Sequence, residues 1–434
     1  MKLINTLVPL DFRGNLRGPL RRLYVGSFVA SLGMGLTFSL FVVYLHNVRG
    51  FSTGFSTLLL SLSAVIGLAV APLWGTLTDR VGPLRVLLVA FGADSAALVL
   101  WAFALTRTQA IAATILLAFF GGAAWGPIGT LLARLAGPDH RQWAFGLNFM
   151  LTNLGIGLGG LVSALIVNLN HPDSFVLLYL VNAAVQLVAG ACYATLHREG
   201  GPVARHDDVR QSHGWREVAK DRRLVRYVVA SMILMLGGYG SVDAGLSLFV
   251  VNNLHLTVHS LGVIFFFNTT TIVLGQIWVL RRIEGRSRTR VMGAVAGFWF
   301  VFWILVSVTL RLPAPAALAV LCGAMVVFAI GETMFQPVGS AIVNHIAPEH
   351  LRGRYNAAAT LAWGVAGTFA PALAALYYNA DLGNWWPLGT SVTALVGGAL
   401  MLNLRRSLSA DADGRVDDAT ERVASRRVVT HDET

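Results

Sequence analysis

Gly75-Thr-Leu-Thr-Asp79-Arg80-Val-Gly82-Pro83-Leu-Arg85 is a short charged turn between two long apolar runs. Each flanking run holds roughly 20 apolar residues, which at about 1.5 Å per residue matches a bilayer core of about 30 Å. The stretch is therefore a loop between two membrane helices. Gly75 permits close helix approach, Gly82 permits a positive-φ turn, and Pro83 is tolerated in the first turn of the next helix. Asp79, Arg80 and Arg85 then sit at the water interface.

The rest of the chain extends this reading. With 55% hydrophobic and 13% charged residues, the 434-residue sequence lacks the polar surface of a soluble domain. Apolar runs recur twelve times, at about 23–46, 55–74, 86–106, 110–133, 144–167, 174–195, 224–251, 258–280, 291–310, 314–343, 356–378 and 384–404. Twelve crossings put both termini on one side. If the termini and the even-to-odd loops share that side, 30 of the 33 Lys and Arg lie there, and only Arg49, Arg107 and Arg311 lie opposite. The positive-inside rule makes that face cytoplasmic. The net charge of +11 thus reflects orientation and contact with anionic membrane lipids. Nucleic-acid binding is not expected, because no soluble loop combines basic and aromatic residues. The first run is too long for a signal-peptide core and is expected to stay as a helix. Cys192 and Cys322 fall within apolar runs as small packing residues, so neither a disulfide nor a metal framework is expected.

The chain is expected to be an all-α polytopic membrane protein of two six-helix bundles. Residues 1–22 form a cytoplasmic N-terminal segment, 23–196 the first bundle, 197–223 a polar cytoplasmic linker, 224–404 the second bundle, and 405–434 a disordered cytoplasmic tail. The two bundles read as repeats. At an offset of 208, Ser39-Leu-Phe-Val-Val43 returns as Ser247-Leu-Phe-Val-Val251 and Gly54 falls on Gly262. At an offset of 210, Gly121, Pro127, Gly129, Pro138, Asp139 and His140 fall on Gly331, Pro337, Gly339, Pro348, Glu349 and His350. The second copy of the opening turn, Arg281 to Arg290, is degraded: Glu284 aligns with Asp79, but the leading glycine is lost.

Gly75, Asp79, Arg80 and Gly82 resemble the loop 2–3 signature of the major facilitator superfamily, G-x-x-x-D-R-x-G-R-[RK], with Pro83-Leu84 departing where two basic residues are usual. The resemblance implies that Asp79 pairs with basic groups and with the N-terminal end of the eleventh helix, near Arg352, Arg354 and Asn356. Arg80 and Arg85 would complete that latch. It also implies two bundles rocking about a central cavity, and members commonly work as monomers, so a monomer is expected.

Three acids lie within apolar runs. Asp243 aligns with Gly35 and Glu332 with Gly122, so only the second half carries these two; Asp94 is in the third run. A charged side chain at the centre of a membrane helix costs about 2.5 to 3.5 kcal/mol on insertion scales, and such residues usually mark an ion or substrate path. Burial disfavours the charged form of a carboxyl, which suits these acids to proton exchange. Asp94 lies in a Gly/Ala-rich stretch that also suits a structural role. Gly331-Glu-Thr-Met-Phe-Gln-Pro337, followed by Pro348 to Asn356, resembles the tenth helix and following loop of twelve-helix bacterial multidrug/proton antiporters. By that resemblance Glu332 and Asp243 match proton or cation sites. Gly146, Gly155, Gly159 and Gly160 partly match the glycine spacing that drug exporters carry in the fifth helix.

The function these features imply is proton-coupled export of lipophilic, cationic small molecules across the cell inner membrane. Asn148, Asn153, Tyr239, Asn268, Phe335, Gln336 and Trp363 are the candidate cavity residues. Broad selection by shape and charge is expected of such a cavity. The alternatives are a proton symporter taking up a small metabolite such as a sugar or peptide, and a non-transporting receptor. No H-E-x-x-H, G-x-S-x-G or ATP-binding loop is present, so neither an enzyme nor a cofactor is expected.

Overall fold

The computed structural model describes residues 16, 18–37, 40–41, 44–168, 171–202, 214–256 and 258–415. Most of the segment 1–22, residues 203–213 of the linker, Ser39, Val42 and Val43 of the first repeat, and tail residues 416–434 lie outside the described residues. A bilayer core offers no water to backbone amides, so apolar runs of this length satisfy themselves as helices. The structure is accordingly helical, and among the described residues there is no strand.

The long helices are α1 (Pro19–Thr37), α2 (Thr53–Val81), α3 (Pro83–Ala102), α4 (Arg107–Gly121), α5 (Trp125–Ile166), α6 (Asp173–Ala194), α7 (Arg222–Leu236), α8 (Val258–Ile283), α9 (Arg288–Val308), α10 (Ala314–Ile346), α11 (Arg352–Asn379) and α12 (Trp386–Leu404). Ten stretches of described residues are long and apolar enough to cross a membrane. One of them, Arg107–Ser163, is 57 residues long. It contains two crossings, because Gly137, at φ 70° and ψ 172°, breaks α5 before Pro138. The fourth crossing thus runs through α4 and the start of α5, and the fifth through the remainder. α1 adds the crossing that is missing from the ten.

The halves repeat in packing as they do in sequence. α1 lies on α5 and α6, as α7 lies on α11 and α12. α3 packs against α4 and α6, as α9 packs against α10 and α12. Between the halves, α2 meets α11, and α5 meets α8 and α10. The seventh run differs from the continuous helix expected over 224–251. It stops at Gly237-Gly238, resumes for one turn at Tyr239–Ser241, passes through a π-helical segment, Val242–Leu246, and ends as Ser247–Asn252. The two glycines allow this because a Cβ on Gly237 would lie 2.4 Å from the Ala394 nitrogen, and one on Gly238 2.2 Å from the Trp299 ring.

The tail also departs from expectation over residues 405–415. Asp413 is fully buried and accepts hydrogen bonds from the Thr289 amide (2.9 Å), the Thr289 hydroxyl (2.8 Å) and the Ser287 hydroxyl (2.8 Å). It thereby caps the start of α9 from a distance in sequence. Arg415 and Arg405 flank the same carboxylate at 3.0 and 3.8 Å.

Candidate functional site

Proline 337 shapes the centre of the second half. A proline inside a helix has no N–H for the carbonyl four residues earlier, here that of Thr333. Gln276 of α8, fully buried, donates its Nε2–H to that carbonyl at 3.0 Å. Two turns away on α8, Asn268 donates from Nδ2 to Oε2 of Glu332. A side-chain amide and a carboxyl thus join α8 to α10, and the carboxyl is 5% exposed. Close approach of α10 to α9 is permitted by Gly331, where a Cβ would lie 2.6 Å from the Trp299 indole nitrogen.

Phe328, Glu332 and Phe335 fall at i, i+4 and i+7 on α10, so they share one stripe of the helix. Around that stripe stands an aromatic box. The Tyr239 ring lies 4.5 Å from Trp363, 5.6 Å from Trp299, 5.9 Å from Phe328 and 6.1 Å from Phe335. The Gly237-Gly238 break sets Tyr239 there. Trp299 and Phe328 are buried, whereas Trp363 is 40% exposed and forms the open side. The structure therefore brings Tyr239, Phe335 and Trp363 together, and bonds Asn268 to Glu332 on the stripe of α10 that Phe335 shares. Sequence reasoning missed Trp299, Phe328 and Gln276. Trp299 hides in the aromatic run 298–303, but Phe328 was signalled by its spacing from Glu332, and Gln276 by the carbonyl that Pro337 releases.

The remaining candidates divide. Gln336 is half-buried on α10. On α5, Asn148 has a buried Oδ1 that accepts no hydrogen bond from the described residues, while Asn153 donates to its own helix at the Phe149 carbonyl. Asp243 lies in the π-helical segment, and its side chain is outside the described residues. Asp94 is not brought to Glu332: it sits on α3 beside α4, 3.5 Å from where a Gly121 Cβ would lie. The α5 glycines have packing reasons. A Cβ on Gly155 would lie 2.8 Å from the Phe28 carbonyl oxygen of α1, one on Gly159 2.2 Å from that of Leu32, and one on Gly146 2.6 Å from Leu280 of α8. Gly160 has nothing closer than 4.0 Å.

Polar bonds that join the halves gather at the arginine-rich face. Asp79 is in the last turn of α2, where a carboxylate opposes its own helix dipole. It is stabilised instead by α11, accepting from the Gly353 amide at 2.7 Å and the Arg354 amide at 3.2 Å, with the Arg354 guanidinium at 3.5 Å. Gly75 and Gly353 make the contact possible: a Cβ on Gly75 would lie 2.6 Å from that of Ala357, and one on Gly353 2.6 Å from Asp79 Oδ1. Trp215 donates to the Thr76 hydroxyl at 2.8 Å, Trp143 to Glu284 at 2.8 Å, and Arg134 reaches Glu349 at 4.0 Å, where Arg352 of Glu349's own half also lies at 3.8 Å. Arg80 and Arg85 stand outside this contact: both are exposed and pair with no carboxylate of the described residues. The departure at Pro83-Leu84 also has a physical basis. Gly82, at φ 92°, lies against Gly201, Leu84 is buried against Gly200, and its amide donates to the Gly200 carbonyl at 3.1 Å. The chain leaving α6 covers the position where basic side chains would otherwise project.

A model of the Major Facilitator Superfamily matches residues 23–371 and 246–429. The MFS-type transporter YttB of Bacillus subtilis (strain 168) is 24% identical over 354 residues, covering 79% of this chain and 84% of the relative. Among solved structures, a bacterial homologue of the iron transporter ferroportin in its outward-facing state superimposes with a TM-score of 0.74 at 12% identity, covering 89% of this chain and 99% of the other. The human organic anion transporter MFSD10 (TETRAN) gives 0.70 at 17% identity, covering 89% of this chain and all of that one. At these identities the structural likenesses establish the fold alone.

Proposed function

We propose, from the premise that the chain belongs to the Major Facilitator Superfamily, that this multi-pass membrane transporter is a proton-coupled exporter of lipophilic small molecules, cations among them. The observation that carries the reading is the buried Glu332 carboxyl on α10, bonded by Asn268 and set beside the aromatic box of Tyr239, Trp299, Phe328, Phe335 and Trp363. A carboxylate in an apolar surround attracts a cation or a proton, and the two compete for it. The Trp363 ring, 40% exposed and backed by Tyr239, offers a face on which a flat lipophilic cation can stack with cation–π attraction. Protonation of Glu332 removes the charge that holds the substrate, so proton entry and substrate release become one event.

The membrane orientation we assign puts the arginine-rich face and both termini in the cytoplasm of the cell's inner membrane. The latch then closes the cytoplasmic side, the arrangement in which an exporter takes up its proton and releases its cargo outside. The return stroke separates Asp79 from the start of α11 and opens the cavity inward, an alternating-access cycle of two rocking bundles. The aromatic box selects by shape and charge more than by fixed hydrogen bonds, which supports a broad substrate range.

The test uses inverted membrane vesicles with an imposed pH gradient and a fluorescent lipophilic cation. The wild type is expected to accumulate the dye only with the gradient, and Glu332→Gln, checked for expression and folding, to abolish accumulation and to weaken binding of the cationic dye. Gradient-independent movement, or full activity in Glu332→Gln, would overturn the proton-exchange assignment.

A further inference from the structure

We propose that the cleft between α8 and α9 at the arginine-rich end of the second half is a binding site for a phospholipid with an anionic headgroup. The cleft encloses a cavity of about 1090 Å³. Five guanidinium groups line its mouth: Arg282, Arg286, Arg290, Arg405 and Arg415. Arg405 and Arg415 are already held by the buried Asp413 carboxylate, and in this way the docked tail builds one wall. Arg282, Arg286 and Arg290 are exposed and have no carboxylate of the described residues at ion-pair distance. Three unneutralised cations converging on one mouth are the chemistry of a phosphate site.

The apolar part of the cleft distinguishes a lipid from a free anion. Below the arginines its walls are Val279, Ile283, Val291, Ala294 and Phe298, and its floor is Ile330 and Met334 of α10. Phe298 is eight residues further along α9 than Arg290, which places it about 12 Å deeper toward the middle of the membrane. An acyl chain fits such a wall, whereas inorganic phosphate would use only the rim.

The position of the mouth agrees with the headgroup level. Trp278, 55% exposed, and Leu274, 77% exposed, are one turn apart on the same outward stripe of α8. The Arg282 guanidinium lies 5.0 Å from the Trp278 ring centroid, one further turn toward the loop. An indole with an arginine stacked above it is the pattern of a membrane–water interface, and basic pockets between membrane helices suit anionic headgroups. The same end of α8 carries Leu280 against Gly146 and Glu284 bonded to Trp143, so the site adjoins a contact between the halves.

Native mass spectrometry of the purified full chain, titrated with phosphatidylglycerol or phosphatidylcholine of the same acyl length, tests the assignment. Phosphatidylglycerol is expected to be retained preferentially. The triple variant Arg282→Ala, Arg286→Ala, Arg290→Ala should weaken it by roughly fivefold per arginine, on the order of 100-fold in all. Arg222→Ala with Arg226→Ala, on the same face but outside the cleft, should leave it unchanged. Ala294→Trp keeps every arginine and fills the apolar wall; it too should lose the lipid, and it carries the test alone should the triple variant fail to fold. Equal retention of the two lipids, or retention by folded Ala294→Trp, overturns the proposal. Displacement by glycerol phosphate at the lipid's own concentration would mark a soluble-anion site and also overturn it.

Discussion

Asp79→Asn should unlatch the arginine-rich face. In the closed arrangement the carboxylate is 5% exposed, accepts two amide hydrogens from the first turn of α11 and lies 3.5 Å from Arg354, itself only 11% exposed. Asparagine keeps the shape and one acceptor oxygen. It removes the charge and can turn an NH2 group toward two N–H donors. Hydrogen bonds to a charged group contribute about 1.5 to 3 kcal/mol each, and a carboxylate at a helix N-terminus adds up to about 2 kcal/mol in buried geometry. Water replaces part of this when the gate opens, so we expect a net shift of about 2 to 3 kcal/mol toward the open gate, roughly 30- to 150-fold in the equilibrium. The assay is pulsed spin-label distance measurement between Arg85→Cys and Arg406→Cys, exposed positions in different halves, in a background with Cys192→Ala and Cys322→Ala. The parent should show one short distance, and Asp79→Asn a second, longer population. Gly353→Ala should act in the same direction without touching charge, since its Cβ would lie 2.6 Å from Asp79 Oδ1 and 2.7 Å from the Gly75 carbonyl oxygen. An unchanged distance distribution in folded Asp79→Asn would refute the argument that this carboxylate holds the halves together.

Further substitutions separate packing from chemistry. Gly159→Ala forces a methyl group to 2.2 Å from the Leu32 carbonyl oxygen and should lower stability by about 1 to 3 kcal/mol in thermal unfolding, whereas Gly160→Ala, with nothing nearer than 4.0 Å, should be neutral. Asp413→Ala removes the cap on α9, worth about 0.5 to 2 kcal/mol, and should release residues 405–415 to limited proteolysis while the transmembrane core resists. Trp363→Ala should weaken dye binding by roughly two- to fivefold through loss of about 0.5 to 1 kcal/mol of ring contact, read by fluorescence titration of the purified protein. For Asp221, burial pushes its pKa up, but hydrogen bonds from Arg223 and Tyr355 outweigh burial and leave it below the usual carboxylate value. A lowered folded value contributes stability above the unfolded pKa of about 3.9 and loses it as pH falls. Asp221→Asn should therefore be slightly less stable than wild type at pH 6 and indistinguishable once the pH is well below 4.

What the sequence makes legible here follows from what a bilayer demands. Crossings, repeat and charged turns are local properties, readable because a helix in lipid must satisfy its own backbone and because arginine avoids the core. Glu332 was legible because a carboxyl inside an apolar run is costly unless something specific receives it, and Asp79 because its charged turn resembles a family signature. Their receivers were legible only in part. The start of α11 followed from a family resemblance, but Asn268 required the register between α8 and α10, which no single run encodes. Gln276 is intermediate: Pro337 announces an orphaned Thr333 carbonyl one turn earlier, yet not which helix supplies the donor. The seventh run was misread because Gly237-Gly238 carries the same letters whether glycines let neighbours approach or break the helix; only Ala394 and Trp299 pressing on them decides. The tail fails differently. Ala-Asp-Ala-Asp-Gly has no apolar face and reads as disorder, but one carboxylate, Asp413, finds the free amides at the start of α9 and two arginines, and is buried completely. The degraded second copy of the signature turn, which keeps Glu284 at the place of Asp79, thus gains a further acid from a distant part of the chain. Asp79 of the first turn docks on a helix of the other half, whereas at the second turn Glu284 accepts from Trp143 of the first half and Asp413 caps α9 of its own half. Asp413 thus steadies its own half, and at this turn the bond across the halves is the one from Trp143 to Glu284.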